Sequence, residues 1–269
     1  MEGSRRSFLK LAGICALGFG IKPAANALSA QAPAPAAAPA ATGPYAPNPT
    51  ALHGTQWAMV VDMKKCWDKG KEGCKDCILA CHKTHNVPEI GNIKEEIKWL
   101  WTEPFPNAFP NMESHYMSEA FLHKPFMVLC NHCTNPPCVR VCPTQATYKR
   151  PQDGIVMMDF HRCIGCRYCM AACPFGARSF NFKEPRPFVK DVNPDFPSRE
   201  RGVVEKCNFC EERLAVGQLP ACVTACRVGA LTFGNLGDPK SEVRKILSTT
   251  FTIRRKPELG TQPNVYYIV

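Results

Sequence analysis

The most informative chemistry in the chain is a run of cysteines, "CIGCRYCMAACP", at residues 163–174. Its spacing, C-x2-C-x2-C-x3-C-P, is that of bacterial [4Fe-4S] cluster motifs. In such a run three closely spaced thiolates bind irons of one cubane cluster, and the fourth cysteine binds the neighbouring cluster. Gly165 lets the backbone approach the cluster, and we expect Cys173 to open a helix with Pro174 in its first turn. The run therefore predicts a pair of clusters.

Sixteen of the 17 cysteines fall into four groups of four, and this run is the third. The second group, "CNHCTNPPCVRVCP", keeps the ending C-x3-C-P but has a wider gap before its third cysteine. The fourth group, "CNFCEERLAVGQLPACVTAC", would also suit zinc in isolation, but its position beside the third group favours iron–sulfur clusters. Its middle segment predicts a short helix. The groups are Cys66, Cys74, Cys77, Cys81; Cys130, Cys133, Cys138, Cys142; Cys163, Cys166, Cys169, Cys173; and Cys207, Cys210, Cys222, Cys226.

The first group, "CWDKGKEGCKDCILAC", has seven residues between its first two cysteines. Removing five of them would restore the spacing of the third group. We interpret the segment as a cluster motif with a charged loop insertion, which costs little entropy at a surface. His82 and Arg227 replace the proline that follows the last cysteine in the other two groups. His82 and His132 are adjacent to cysteines, but each group already has four thiolates, which favours a supporting role for both.

The segments that flank the cysteines predict the elements that position them. A short strand leads into the cysteine loop, a helix follows, and a second strand returns. This order is one half of a ferredoxin-type domain, so the predicted fold class is α+β and loop-rich. The predicted strands are "WAMVVD", "DGIVMMD", "GARSFNF", "VVE" and "GALTFGN".

The N-terminal residues 1–27 predict a twin-arginine export signal, with cleavage after residue 27 or 30. The context S-R-R-x-F-L-K runs from Ser4 to Lys10, and an apolar stretch follows over residues 11–21. That stretch is short of the ~20 residues that a spanning helix needs, although an uncleaved tether stays open. Because this route exports folded, cofactor-loaded proteins, it favours cluster ligation over disulfides and predicts a periplasmic location.

The remaining chain divides by composition into an arm, a domain and a tail. Residues 28–55 are rich in Ala and Pro and predict an extended arm. Residues 56–235 hold the cysteine groups, and within them residues 83–118 form an insertion in which "NIKEEIKWLW" predicts a helix. The tail, residues 236–269, would strap across the domain or dock elsewhere. The sequence contains no dinucleotide fingerprint, P-loop or H-E-x-x-H motif, so we expect no catalytic site of its own.

The net charge of the chain is +10, and the negative charge of the predicted clusters would explain this excess of basic residues. Removing residues 1–27 takes away four basic residues and one acidic residue, which leaves +7. Four oxidised clusters with their thiolates would contribute a formal charge of about −8. The basic residues are therefore predicted to balance the clusters rather than to bind nucleic acid.

The four-group pattern over residues 56–235 resembles the four-cluster electron-transfer subunits of membrane-bound respiratory complexes. These include the subunits of dimethyl-sulfoxide, polysulfide and tetrathionate reductases and the nitrite-reductase-linked form. The export signal, the Ala/Pro arm and "CHKTHNVPEI" (residues 81–90) are most similar to DsrO-type periplasmic subunits of the Dsr membrane complexes of sulfur-metabolising prokaryotes. The resemblance implies two intertwined bacterial-type 2[4Fe-4S] ferredoxin-like units, with an inner unit (residues 120–185) inserted in an outer one.

The same resemblance implies how the cysteines bind four [4Fe-4S] clusters. The fourth cysteine of each group crosses over to the cluster of its partner group. The implied ligand sets are Cys66, Cys74, Cys77, Cys226; Cys207, Cys210, Cys222, Cys81; Cys130, Cys133, Cys138, Cys173; and Cys163, Cys166, Cys169, Cys142.

The resemblance implies a one-electron relay in which the cysteines are ligands and not catalysts. The implied partners are an NrfD-type integral membrane subunit that interacts with quinone, through which the chain would attach to the membrane, and a multihaem cytochrome c subunit. Two alternatives stay open. One is the relay subunit of a periplasmic molybdopterin reductase. The other is a zinc or disulfide structural module, which the third group and the export signal argue against.

Overall fold

The computed structural model describes residues 48–69 and 73–269. These belong to a compact unit that extends from Pro47 to Val269. The predicted export signal, nearly all of the Ala/Pro arm and residues 70–72 of the first group's insertion lie outside the described residues. Among the helices that are described, none has the length and apolar character needed to cross a bilayer.

The described residues form short strands and short helices, as the predicted α+β class requires. The strands pair in one three-stranded sheet and three two-stranded sheets. The strands are β1 (Trp57–Asp62), β2 (Leu100–Glu103), β3 (Phe126–Leu129), β4 (Thr147–Lys149), β5 (Val156–Met158), β6 (Ser179–Phe180), β7 (Val204–Glu205), β8 (Leu231–Asn235) and β9 (Val265–Ile268). The α-helices are α1 (Met63–Lys69), α2 (Asp76–Thr84), α3 (Phe105–Ala108), α4 (Glu119–Leu122), α5 (Pro137–Arg140), α6 (Tyr168–Ala172), α7 (Glu211–Leu214), α8 (Ala221–Ala225) and α9 (Glu242–Thr249).

The strands pair between consecutive cysteine groups and not within one group. The return strand of the first group, β2, pairs with the leading strand of the second, β3. In the same way β4 pairs with β5, and β6 pairs with β7. The return strand of the fourth group, β8, pairs with β1 ahead of the first group. All four pairings are antiparallel, and together they close a ring that fixes each cysteine loop against its two neighbours.

The third cysteine of every group lies in a short helix, and this corrects one prediction. Cys169 lies in α6, and Cys173 follows the last residue of that helix instead of opening a new one. The C-x3-C spacing is about one helical turn, so the helix forms between these cysteines. Pro174 follows the helix end because proline cannot continue it.

Two further expectations about local structure were wrong. Residues 92–101 do not form a helix, because their end is strand β2, which pairs with β3 and buries Trp99 and Leu100. Burial in a sheet here overrides the helical pattern. The charged insertion of the first group is not all loop, because α1 contains Cys66 and continues to Lys69.

The C-terminal tail straps across the domain. Strand β9 pairs in parallel with β1, and its Tyr267 is fully buried against Phe109. Helix α9 covers the other face of the sheet, where Val243 packs with Ala58 and Val60. Before β9, the side chain of Asn264 donates to the backbone oxygen of His132 at 2.7 Å, which ties the tail to the second cysteine group.

Candidate metal centres

The structure gathers the cysteines of different groups into four sets of thiols, which we name sites I to IV. The thiols of site I line a cavity of about 1360 Å³, those of site II one of about 320 Å³, and those of site III one of about 270 Å³, each volume including the part open to solvent. Site IV gathers around Cys81, whose pKa is raised well above its ordinary value by burial and by the other three thiols of that site. The sites are Cys66, Cys74, Cys77, Cys226 (site I); Cys130, Cys133, Cys138, Cys173 (site II); Cys163, Cys166, Cys169, Cys142 (site III); and Cys207, Cys210, Cys222, Cys81 (site IV).

The spacing of these thiols suits a cluster better than a single zinc ion. Four thiolates at 2.3 Å from one zinc would lie about 3.8 Å from each other. Among the described residues, no three cysteine sulfurs lie within 4.8 Å of one another. The gatherings coincide with the sets that the resemblance implied, and their role as cluster ligands remains a prediction.

The four sites form a row in the order I, IV, II, III. Cys77 of site I is among the neighbours that, after burial, raise the pKa of Cys81 and Cys222 in site IV. Cys207 of site IV is next to Cys130 of site II. The pKa of Cys207 is raised to about 12, first by burial and then by Cys130. Site II in turn adjoins site III.

The junction between sites II and III is made by Cys138 and Cys169. Cys138 is one of the neighbours that, together with burial, raise the pKa of the Cys169 thiol. Because each step in the row joins thiols of adjacent sites, an electron could cross the domain without leaving the row.

The two middle sites are buried and the two end sites are closer to solvent. All four cysteines of site IV are buried, and three of the four in site II. At one end of the row, Cys74 of site I is exposed. At the opposite end, three of the four cysteines of site III are partly exposed. The row therefore begins and ends near the surface.

Burial makes the thiols reluctant to ionise without a metal. It raises the pKa of Cys77, Cys133 and Cys207 to about 12. A bound cation is what stabilises several thiolates so close together, because ligation displaces the thiol protons. The donor sets therefore fit iron, and their environment fits a buried cluster.

Backbone amides are already directed at several of the sulfurs. The amides of Phe209, Ala221 and Ala230 donate to Cys207, Cys210 and Cys226 at 3.4, 3.4 and 3.3 Å, respectively. Hydrogen bonds of this kind stabilise ligating thiolates and tune the potential of a cluster.

Unpaired polar atoms at site II also fit a bound group. The Nδ1 atom of His132 accepts from the backbone amide of Val156 at 3.1 Å, so by hydrogen bonding the proton belongs on Nε2. That buried Nε2, and the side-chain amide of Asn131, have no partner among the described residues. Both residues lie between Cys130 and Cys133 in the sequence, and Asn131 lines the site II cavity, where the sulfurs of a cluster would be acceptors.

The histidines beside the cysteines support the loops. The ring of His132 is stacked on Phe209 at 3.7 Å, and His82 is hydrogen-bonded to the backbone oxygen of Leu100 at 3.2 Å. His85 lies near Cys210 and Glu212 in the one group of three possible metal-binding side chains found among the described residues. Both its ring nitrogens are engaged at 2.9 Å, by Cys81 O and Glu212 Oε1, so it holds the site IV loop.

Two buried cations stand at the junctions of the row, and sequence reasoning missed both. Arg178, between sites II and III, is 4% exposed and donates to Cys138 Sγ at 3.1 Å. Lys206, between sites IV and II, is 1% exposed and donates to the backbone oxygens of Cys207, at 2.8 Å, and Val156. No motif marks them, and the only signal was their position beside the strands that lead into and out of cysteine loops.

Comparison with known proteins agrees with this chemistry. The model of the 4Fe-4S dicluster domain family matches residues 123–186 and 193–236, which include the second to fourth groups. The chain is 40% identical to the Hdr-like menaquinol oxidoreductase iron-sulfur subunit 1 of Archaeoglobus fulgidus, over 98% of this chain and 97% of that protein. It is 35% identical to the menaquinone reductase iron-sulfur cluster-binding subunit of Nitratidesulfovibrio vulgaris, over 79% and 88%.

A third relative extends the match to a different class of complex. It is a subunit of the tetrathionate reductase of Salmonella typhimurium, 32% identical over 100% of this chain and 89% of its own length. The thiol sites, the family match and the near full-length similarity lead to one conclusion: the chain belongs to the family of [4Fe-4S] iron–sulfur subunits of oxidoreductase complexes.

Proposed function

We propose that this protein relays single electrons through four [4Fe-4S] clusters bound at sites I, IV, II and III, in that spatial order. The observation that carries the proposal is the row of four thiol sites, buried in the middle and near the surface at both ends. A cluster of this type takes up and releases one electron. The residues of the chain hold the clusters, exclude water from sites IV and II, and set the potentials by hydrogen bonds and charge.

We further propose that one end of the row exchanges electrons with an integral membrane subunit of the NrfD type that interacts with quinone. Two relatives bear the names of a menaquinol oxidoreductase and a menaquinone reductase, which supports a quinone-linked complex. A multihaem cytochrome c subunit is the proposed partner in a Dsr-type complex, and the chain would be attached to the membrane through its partners.

The second candidate is the relay subunit of a molybdopterin reductase. The full-length similarity to the tetrathionate reductase subunit supports it. Purification of the native complex from membranes distinguishes the two. Haem c and an NrfD-type subunit without molybdenum would support the Dsr-type complex, whereas stoichiometric molybdenum would overturn that assignment in favour of a reductase.

The location of this relay is proposed to be periplasmic, reached by the twin-arginine route. The support is the S-R-R-x-F-L-K context at Ser4–Lys10. Replacing both Arg5 and Arg6 with Lys should retain the protein in the cytoplasm, whereas normal export of that variant would contradict the proposal.

The relay itself is tested by the metal content of the anaerobically purified protein. Four cubanes require about sixteen irons and sixteen acid-labile sulfides per chain. About twelve irons, unchanged when Cys66 and Cys74 are replaced, would mean that site I holds no cluster. Zinc in place of iron would overturn the electron-transfer proposal and revive a structural role.

A further inference from the structure

The side chain of Arg178 is fixed at the boundary between sites II and III. It is buried immediately before strand β6. Its Nη2 atom donates to Cys138 Sγ at 3.1 Å and to Thr147 Oγ1 at 2.7 Å, and Nη1 lies 3.8 Å from Met158 Sδ. The Thr147 hydroxyl in turn donates to the backbone oxygen of Met157 at 2.9 Å. The guanidinium is therefore anchored by its own contacts and those of its neighbour.

The guanidinium acts on thiols of sites II and III, whose cysteines all lie within residues 120–185 and which are therefore the inner sites in sequence. Burial raises the pKa of Cys169 in site III, and the charge and hydrogen bond of Arg178 oppose that rise. Burial lowers the pKa of Arg178 itself, but the nearby Cys138, Cys169 and Cys130 more than compensate and leave it raised. The positive charge of Arg178 therefore acts on Cys138 of site II and on Cys169 of site III.

Arg178 has no carboxylate partner in the part of the chain that is described. Another buried arginine, Arg199, does have a carboxylate partner. Its Nη2 atom lies 2.5 Å from a carboxylate oxygen of the fully buried Glu205. A buried charge without an opposite charge is strongly unfavourable. The groups that raise the pKa of Arg178 and can become negative are Cys138, Cys169 and Cys130 of sites II and III.

We propose that Arg178 is a positioning residue that raises the reduction potentials of the clusters at sites II and III. This inference rests on the ligand sets proposed above. Reduction adds one electron, lost by the donor, and makes each site more negative by one unit, with no proton transferred. A fixed positive charge in a region of low dielectric constant stabilises the more negative form, and an N–H···S bond acts in the same direction.

The test is a potentiometric titration of the full-length, anaerobically purified protein, followed by EPR. The signals of the inner clusters are assigned by their loss in Cys130→Ser and Cys163→Ser. In Arg178→Met we expect both inner potentials to fall, with those of sites I and IV nearly unchanged. The matched control is Arg162→Met, which removes an arginine that is adjacent to Cys163 but 63% exposed and paired with Asp159. Because water screens that charge, the control should leave all four potentials unchanged.

Iron content is measured for each variant, so that loss of a cluster is not mistaken for a shift. Wild-type inner potentials in fully loaded Arg178→Met would overturn the inference, as would an equal shift in the control. If Arg178→Met does not retain iron, the same titration is made on Arg178→Gln, which removes the charge but keeps a polar side chain, and unchanged inner potentials in that variant would overturn the inference. If that variant is also unloaded, Arg178→Lys, which keeps the positive charge, decides. Wild-type iron content and inner potentials close to those of the wild-type protein would support the inference, whereas a loss of iron equal to that of Arg178→Gln would show that the charge is not what matters and would reject the proposal. Absence of iron from the wild-type protein would instead refute the proposed function.

Discussion

Sites I and III are built on related cysteine loops at opposite ends of the row, but the protein encloses them differently. At site III the loop glycine, Gly165, is packed so closely that a Cβ atom would lie 2.5 Å from the backbone oxygen of Gly202. At site I the corresponding loop glycine, Gly73, has no described atom within 4 Å of such a position. Both glycines have a φ of +70°. Among the described residues, site I therefore keeps the glycine turn of site III, but no neighbouring backbone packs against it as Gly202 packs against Gly165.

The two ends also differ in charge. Site III shares the buried Arg178 with site II, whereas the nearest arginine in the site I cavity, Arg227, is 76% exposed and paired with Asp76 at 3.0 Å. Asp62 is among the groups that raise the pKa of Cys66, after burial and neighbouring thiols. A cluster at site I would thus meet less fixed positive charge than one at site III. Related cysteine motifs in one chain are therefore expected to hold clusters of unequal stability and potential.

The largest expected contrast comes from replacing the second cysteine of each loop. Cys74→Ser should leave about twelve irons and a folded protein, because the site I cavity opens to solvent. Cys166→Ser should fall below about twelve irons and unfold at a lower temperature, because loss of the site III cluster leaves Arg178 with fewer negative neighbours. Iron analysis and thermal unfolding under anaerobic conditions measure both. Equal iron content and equal midpoints in the two variants would contradict the comparison.

The second prediction concerns Lys206, the cation between sites IV and II. Burial lowers the pKa of Lys206, and Cys130 and Cys207 on its two sides oppose that effect. Lys206→Met should lower the potentials of sites II and IV and leave site I unchanged. The matched control, Arg227→Met, removes an exposed cation at site I and should shift no potential, since its charge is screened. A shift at site I in the control that equals the shift in Lys206→Met would refute the idea that burial makes the difference.

Local spacing predicted the loops well because three cysteines of each site belong to one group in the sequence. The fourth cysteine of each site, such as Cys226 beside Cys66 and Cys77, was implied only by the resemblance, since spacing contains no information on distant contacts. The return strand of the fourth group was predicted because its residues 231–235 suit a strand.

Other features depend on tertiary contacts that no local pattern records. Residues 92–101 have the composition of a helix, and only the pairing of β2 with β3 decides otherwise. Arg178 and Lys206 look like ordinary surface cations in the sequence, and their burial follows from the ring of strand pairs. The predicted helix starts a few residues too late, because a proline suits a first helical turn, whereas Pro174 follows the end of the helix.

The smallest predicted effects come from the loop glycines and give the most direct comparison of the two ends. Gly73→Ala and Gly165→Ala impose the same backbone strain, about 1–3 kcal/mol, because each places a side chain at positive φ. At Gly165 the overlap with Gly202 should add about 1–3 kcal/mol of overpacking. Thermal midpoints of the loaded proteins, with the rate of iron loss to a chelator, measure the difference. If Gly73→Ala destabilises the protein as much as Gly165→Ala, site I is as tightly enclosed as site III, and the difference in enclosure inferred from the two cavities is wrong.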